Sequence, residues 1–156
     1  MTLNWHTGLL NKLTTQQIID IYRVRAQVFV VEQNCPYQDP DDQDLLAHHM
    51  LGYDANSGQI AAYARILLPQ TTKESAKFGR FLIHPDYRQM GLGYTLVNKV
   101  MQFIRQQSSF QVLEVVISAQ AHLQNFYSQA AGFKTYGDTY LEDNIPHIAM
   151  STTIQT

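Results

Sequence analysis

The sequence predicts an α/β fold with a mixed central sheet flanked by helices. Three observations carry that expectation. The elements run strand, helix, loop, three strands, helix, strand, helix and two strands, not in strict β-α repeats. A nearly continuous apolar run, Val112 to Ser118, suits a central strand buried on both faces. The composition is that of a packed chain: 45% hydrophobic, 11% aromatic and 15% charged, against about 25% charged in an average domain, and too apolar for disorder.

Thr2 to Trp5 reads as a short first strand. Thr14 and Gln17 make a capping box, after which Ile18, Ile21, Tyr22, Arg25, Val28 and Phe29 recur at helical spacing, so a helix is expected from Thr15 to about Val31. Asn34 to Asp44 is a polar loop, with room for a short helix capped by Asp39 with Pro40 at its first position. His48–Tyr53 and Gln59–Leu68 flank a turn-rich stretch ending in Gly58 and read as a hairpin. Ala76–Ile83 is the next strand, stopped by His84-Pro85-Asp86. Gly91 opens a helix to about Gln106, whose apolar face carries Leu92, Leu96, Val97, Val100, Met101 and Ile104. After the Val112–Ser118 strand, Ala121–Ala131 reads as a helix ended by Gly132. Phe133–Tyr140 and Pro146–Thr153 close the chain as strands around a Glu142-Asp143-Asn144 turn.

A length of 156 residues suits one domain, 1–156. A net charge of −2 gives no global field for nucleic acid. Cys35 is the one cysteine, which leaves no internal disulfide and no multi-cysteine zinc site, and no metal is expected. No apolar run reaches the roughly 20 residues of a membrane span. The N-terminus lacks a basic segment followed by an apolar one, so the expected compartment is the cytoplasm.

The sharpest local feature is Arg88-Gln89-Met90-Gly91-Leu92-Gly93, between a strand and a long helix. Glycines there let the chain turn tightly and bring successive N–H groups to a ligand, and a helix N-terminus adds about half a positive charge. Together these suit a pyrophosphate. No Lys-Ser/Thr follows, so the loop is not that of a nucleoside triphosphatase, and the third glycine of a dinucleotide fingerprint is missing.

With its flanks, Phe81-Leu82-Ile83-His84-Pro85-Asp86-Tyr87 before and Tyr94 after, this loop resembles the acetyl-CoA motif of the GNAT N-acyltransferases. Val28 to Asp39, Tyr63 to Leu67, Ala119 to Tyr127 and Ile145 to Ile148 resemble the ElaA-type branch of that family, and the resemblance covers nearly the whole chain. It implies a GNAT-like acyl-CoA N-acyltransferase fold and transfer of acetyl from acetyl-CoA to a primary amine, on a small molecule or a polypeptide, by direct attack in a ternary complex. It also implies that backbone groups of Phe81, Leu82 and Ile83 pair with the pantetheine arm, and that the amides from Gln89 to Tyr94 (Met90, Gly91, Leu92 and Gly93 between them) hold the pyrophosphate beside Arg88. Gln120 and Asn125 fall where the family meets CoA, and Tyr127 matches its general acid. The family usually places that tyrosine four residues before a glycine. Here Gly132 is five residues on, so either the helix end absorbs a residue or Tyr127 is turned by about 100°.

The residue types supply further candidates. A neutral amine must attack, an oxyanion must be stabilised and a thiolate must be protonated. Glu32, as base, amine anchor or simple cap, and His147 and His49, of a residue type that can relay a proton near neutral pH, are the candidates for handling the amine. Arg65 lies in an otherwise apolar strand and needs an anion: a substrate carboxylate, Glu32 or a loop aspartate. Asp39, Asp41, Asp42 and Asp44 either attract a cationic amine or form a solvated loop. Cys35 lacks a helix N-terminus or adjacent base to activate it, which argues against a thiol relay. Two other readings compete: a non-catalytic CoA-binding or regulatory domain, and an acyl-homoserine-lactone synthase, whose arginine and acidic positions Arg25, Arg65 and the aspartates loosely resemble. Acetyl-CoA and an amine are the expected partners, with neither nucleic acid nor membrane, and the exposed C-terminal hairpin is compatible with a monomer or a homodimer.

Overall fold

Alternation and turn chemistry place the strands, and packing extends them. The structure is a computed structural model that describes residues 1–155. The first strand, β1 (Leu3–Leu9), is longer than the sequence suggests because it pairs with β2 (His48–Asp54) along its whole length, from Leu3 opposite Asp54 to Leu9 opposite His48. Trp5 lies flat on Gly52, where a β-carbon would stand 2.9 Å from the indole. The Asp54–Gly58 turn leads into β3 (Ile60–Leu67) as expected. Next come β4 (Ala76–Ile83) and, further on, β5 (Val112–Gln120), β6 (Lys134–Glu142) and β7 (Ile145–Gln155). Asp143 and Asn144 both take left-handed φ, 48° and 65°, which suits a tight hairpin turn.

Helix α1 (Thr15–Arg25) starts at the expected capping box: Thr14 N–H donates to Gln17 Oε1 (2.9 Å) and Gln17 N–H to Thr14 Oγ1 (3.1 Å). It does not stay α-helical to Val31. From Ala26 to Glu32 the backbone widens to π-helical turns, where Val28-Phe29-Val30-Val31 are weak α-formers, and Cys35 N–H closes it on Val30 O (3.0 Å). The short helix capped by Asp39 does not form. A 3-10 turn over Asp42–Leu45 follows instead, started by Asp41, whose N–H donates to Asp44 Oδ2 (3.1 Å); Asp39 is drawn inside by arginines. Helix α2 (Leu92–Gln107) buries Leu96, Val97, Val100, Met101 and Ile104. The expected Ala121–Ala131 helix divides into a 3-10 turn and α3 (Gln124–Ala131).

The strands make one seven-stranded sheet in the order β1-β2-β3-β4-β5-β7-β6. Every neighbouring pair is antiparallel except β4 and β5, which are parallel. One core cluster joins α1 to the sheet through Ile21, Val24, Val28, Leu51, Tyr63 and Leu82. The other joins α2 and α3 to the sheet through Ile66, Phe78, Leu96, Val100, Ile117 and Phe133. No helix among the described residues is long and apolar enough to cross a membrane.

Candidate active site

The parallel pair opens almost as soon as it forms. β4 and β5 are in register only at Ala76–Val115 and Lys77–Val116. Beyond Lys77, β4 keeps β3 on one side, where the register slips between Tyr63 and Arg65 next to Arg80, a bulge residue at φ 46°. Among the described residues its other edge has no strand partner there. A cleft of about 1310 Å³ fills the gap, lined by Phe78 to Ile83 of β4, Ile117, Ser118 and Gln120 of β5, Phe126 and Tyr127 of α3, and His147 of β7. An open strand edge offers backbone donors and acceptors to an extended ligand.

Past β4, His84 Nδ1 accepts from Asp86 N–H (3.1 Å) and the chain turns into the glycine loop. Gln89 (φ 62°) and Gly91 (φ 77°) are left-handed. The first intrahelical bond of α2 is Thr95 N–H to Gly91 O (3.3 Å), so the amides of Leu92, Gly93 and Tyr94 precede any helical partner. A smaller depression of about 160 Å³, lined by Ile83, Arg88, Gln89, Gly91, Gly93 and Tyr94 among others, lies there. Close packing requires Gly93, where a β-carbon would come within 3.1 Å of Phe126. Open backbone edge, glycine loop and helix start follow one another along the cleft, which fits a pantetheine arm ending in a pyrophosphate. Leu82 is in the core through its side chain, while Met90 and Asn125 are exposed and line neither hollow.

Tyr127 is 6% exposed, ringed by Phe78, Phe81, Phe126 and Phe133. Burial pushes its hydroxyl pKa well above the ordinary tyrosine value. No described residue hydrogen-bonds that hydroxyl, yet it is not a sealed polar atom, so it keeps access to the cleft. Helix α3 runs regularly from Tyr127 to its end: Gly132 is left-handed (φ 69°), and its N–H bonds Ser128 O at 2.9 Å. Glu32 lies on the cleft wall, held in a fork by Arg88 at 2.7 and 3.0 Å, while Arg88 Nε donates to Ile83 O at 3.1 Å. His147 is buried, its Nδ1 2.7 Å from Ile145 O and its Nε2 3.2 Å from Glu142 Oε2.

The polar loop is neither a solvated run nor a free acidic patch. Arg25, fully buried, binds Asp39 Oδ2 (2.8 Å) and Asp44 Oδ1 (2.7 Å). Arg65 binds Asp41 (2.6 Å) and Asp44 (3.1 Å), and Arg80 binds Asp39 (2.8 Å) and Asp41 (3.3 Å). Burial alone would raise the Asp44 carboxyl pKa, but the hydrogen bonds from Arg25, the Asp41 amide and Arg65 outweigh it and hold the carboxyl well below the usual range. His49 has no exposed surface; Nδ1 meets Tyr63 Oη at 2.7 Å and Nε2 meets Asp44 O at 3.0 Å, and burial lowers its pKa. It does not line the cleft, whereas Arg65 reaches the rim. Sequence reasoning missed Arg80, Tyr140 and Glu142 on the cleft wall. A charged residue breaking the apolar alternation of β4 was a signal for Arg80. Glu142, the last residue of β6, had none.

A deep cleft between splayed parallel strands, with a glycine-loop helix start at one end and a buried tyrosine beside it, defines an acyl-CoA N-acyltransferase fold. Residues 13–154 match the model of the acetyltransferase (GNAT) domain family, and the chain belongs to that family. It is 37% identical to protein ElaA of Escherichia coli over 96% of this chain and 95% of that one, and superposes on the ElaA crystal structure with a TM-score of 0.86, covering 96% of this chain and 99% of that one. An acyl-CoA N-acyltransferase from Pseudomonas aeruginosa superposes with a TM-score of 0.87 at 36% identity over 96% and 99% of the two chains. An aminoglycoside 6'-N-acetyltransferase solved with coenzyme A shares the fold at 12% identity, with a TM-score of 0.69 over 95% of this chain and 96% of that one.

Proposed function

We propose that this protein is an acetyl-CoA-dependent N-acetyltransferase that moves acetyl to a primary amine by direct attack in a ternary complex. The observation that carries this reading is the free hydroxyl of Tyr127, beside the open edge of β4 and in line with the glycine loop. As cosubstrate, acetyl-CoA supplies the acetyl thioester, whose C–S bond breaks as the C–N bond to the amine forms, leaving the sulfur with an electron pair and the nitrogen with a surplus proton. Tyr127 gives its hydroxyl proton to that sulfur. Free phenol and thiol values, about 10 and 8.5, make this step uphill by roughly 2 kcal/mol. Burial raises the tyrosine further, but it raises the basicity of a thiolate formed beside it too. His147 Nε2 takes the proton that the nitrogen loses, and solvent returns one to Tyr127.

Backbone groups of Phe81 and Ile83 would hold the pantetheine, and the amides from Gln89 to Tyr94, with Gln120 opposite, the rest of the CoA. Glu32 acts by holding Arg88, not as the base, since both its oxygens are occupied. Cys35 donates to Asp143 O at 3.3 Å, an arrangement that favours direct transfer over a thiol relay. Saturating CoA is expected to raise the melting temperature, and Tyr127→Phe to lower kcat by roughly 100-fold with CoA affinity kept. An unmoved melting temperature would remove the reading; unchanged kcat would remove Tyr127 from the chemistry.

A further inference from the structure

The charges lining the cleft are unevenly committed. Glu32 is forked to Arg88, and Asp41 is shared by Arg65 and Arg80, so neither carboxylate, nor any of those arginines, is free for a charged acceptor. Lys77 stands where β4 and β5 still pair, below the opening. On the opposite wall, the β6–β7 hairpin presents a different set. Glu142, half exposed, pairs with no arginine among the described residues; its neighbour is His147, with Nε2 3.2 Å from Glu142 Oε2. Tyr140 stacks on the His147 ring at 6.2 Å and 25°, and its hydroxyl meets Ser118 Oγ. Tyr136 lines the same wall and is 49% exposed. Asp42 and Asp143 also line the cleft, but Asp42 sits on the 3-10 turn across the opening and Asp143 at the tip of the hairpin. A carboxylate set among exposed aromatic faces is the chemistry that recognises an organic cation, through a charge-assisted hydrogen bond and cation–π contact.

We infer that the hairpin wall of Tyr136, Tyr140, Glu142 and His147 is the acceptor site, that Glu142 anchors an ammonium group, and that the acceptor is a cationic amine rather than an amino acid presenting its carboxylate. This rests on the acetyl-transfer reading and adds the substrate class to it. The anchored ammonium is the acceptor's second cationic group: it donates to Glu142 and keeps its protons, while the other amine attacks in its neutral form and His147 Nε2, adjacent to the same carboxylate, accepts the one proton that this nitrogen loses as the C–N bond forms. His147 Nδ1 donates to Ile145 O throughout, so in the neutral ring that acts as base Nε2 carries no hydrogen and faces Glu142 Oε2 as a second hydrogen-bond acceptor 3.2 Å away, a pair that N–H groups of the acceptor amine satisfy.

The test uses the full chain saturated with CoA for binding, or with acetyl-CoA for turnover. Three cationic probes (1,5-diaminopentane, spermidine and a lysine-containing tripeptide amide) are compared with 5-aminopentanoate, which has the five carbons of the first and a carboxylate in place of its second aminomethyl group. Wild type is expected to prefer at least one cationic probe. Glu142→Gln should weaken its binding or raise its KM about tenfold, Glu142→Asp should recover part of that, and Glu142→Arg should shift preference toward 5-aminopentanoate. The CoA-induced melting shift reports that each variant is folded. Equal losses for cationic and carboxylate probes, or no Glu142-dependent binding of any cationic probe, would overturn the inference. Glu142-dependent binding without thiol release would instead leave the anchor standing and sink acetyl transfer.

Discussion

At the polar-loop end of the cleft, Arg25, Arg65 and Arg80 are shared among Asp39, Asp41 and Asp44, and Arg25 has no exposed surface. At the glycine-loop end the groups facing the cleft are uncharged backbone amides, and the cation there, Arg88, is 42% exposed. The difference teaches where each kind of group is useful. Opposite charges taken out of water must be paired with each other to be tolerated, so they fix shape and have little left to offer a ligand. Amides at a bend and a helix start are polar without needing a partner of opposite charge, and they stay available.

Truncating the paired end should cost the most. Arg25→Ala takes from each of two buried carboxylates one of its two arginines, leaving Asp39 with Arg80 and Asp44 with Arg65, and the expected loss is about 3 kcal/mol of folding stability, read by urea denaturation. A loss under 1 kcal/mol would mean that the cluster does not hold the loop. Acid should act on the same cluster more gently, because it removes charge without removing atoms. The folded-state pKa of Asp44 lies below its ordinary 3.8, so its contribution is complete above that pH and fades as pH falls through the folded value. His49 is also lowered, from 6.5, so the unfolded chain takes up its proton first and stability declines as pH drops below that value. Melting temperature against pH should therefore fall from about 6.5 downward, and steepen below about 4. A flat profile from pH 7 to 3 would contradict both assignments.

The open end should respond in ligand affinity instead. Gly91 holds φ at 77° with open space around the missing β-carbon, so Gly91→Ala meets no clash but strains the backbone by roughly 1–2 kcal/mol. Relieving that strain moves the amides, and CoA should bind about 5–10-fold more weakly, with at most a modest loss of fold stability. Equal CoA affinity in calorimetry would show that the loop tolerates a β-carbon there, and that its glycine serves something other than the phosphate.

The same contrast explains what the sequence could reveal. Capping box, glycine loop, the apolar β5 run and the Asp143-Asn144 turn are local: the residues that make each feature lie within a few positions of one another, and each was legible. The sequence also marked the helix end at Gly132, which is left-handed, and Tyr127 five residues before it lines the cleft. The arginine cluster was only half legible. Arg25 reaches Asp39 and Asp44 across 14 and 19 residues, and Arg80 reaches Asp39 across 41, so the need for anionic partners was visible while their identity was not. Two expectations failed for separate reasons. The helix to Val31 widened into π turns over a run of weak α-formers, and the Asp39 cap failed to form because burial of Asp39 by two arginines outranked local capping. Glu142 and Tyr140 enter the site only through strand pairing, which places both on the wall that His147 occupies.

The smallest effect is the most discriminating, because it moves one charge between the two regimes. The Glu32–Arg88 pair is exposed on both sides, 38% and 42%, so Glu32→Gln should change stability by less than about 1 kcal/mol. It should, however, release Arg88 from its fork. A free guanidinium at the loop attracts a pyrophosphate more strongly, and CoA should bind roughly 2–4-fold tighter at low salt, with the gain shrinking as ionic strength rises toward the range where the Debye length is about 8 Å. If Glu32 were instead the base, kcat would fall by roughly 100-fold or more while CoA affinity stayed where it was. Measuring both quantities on one variant, at two salt concentrations, separates a residue that restrains a cation from one that handles a proton.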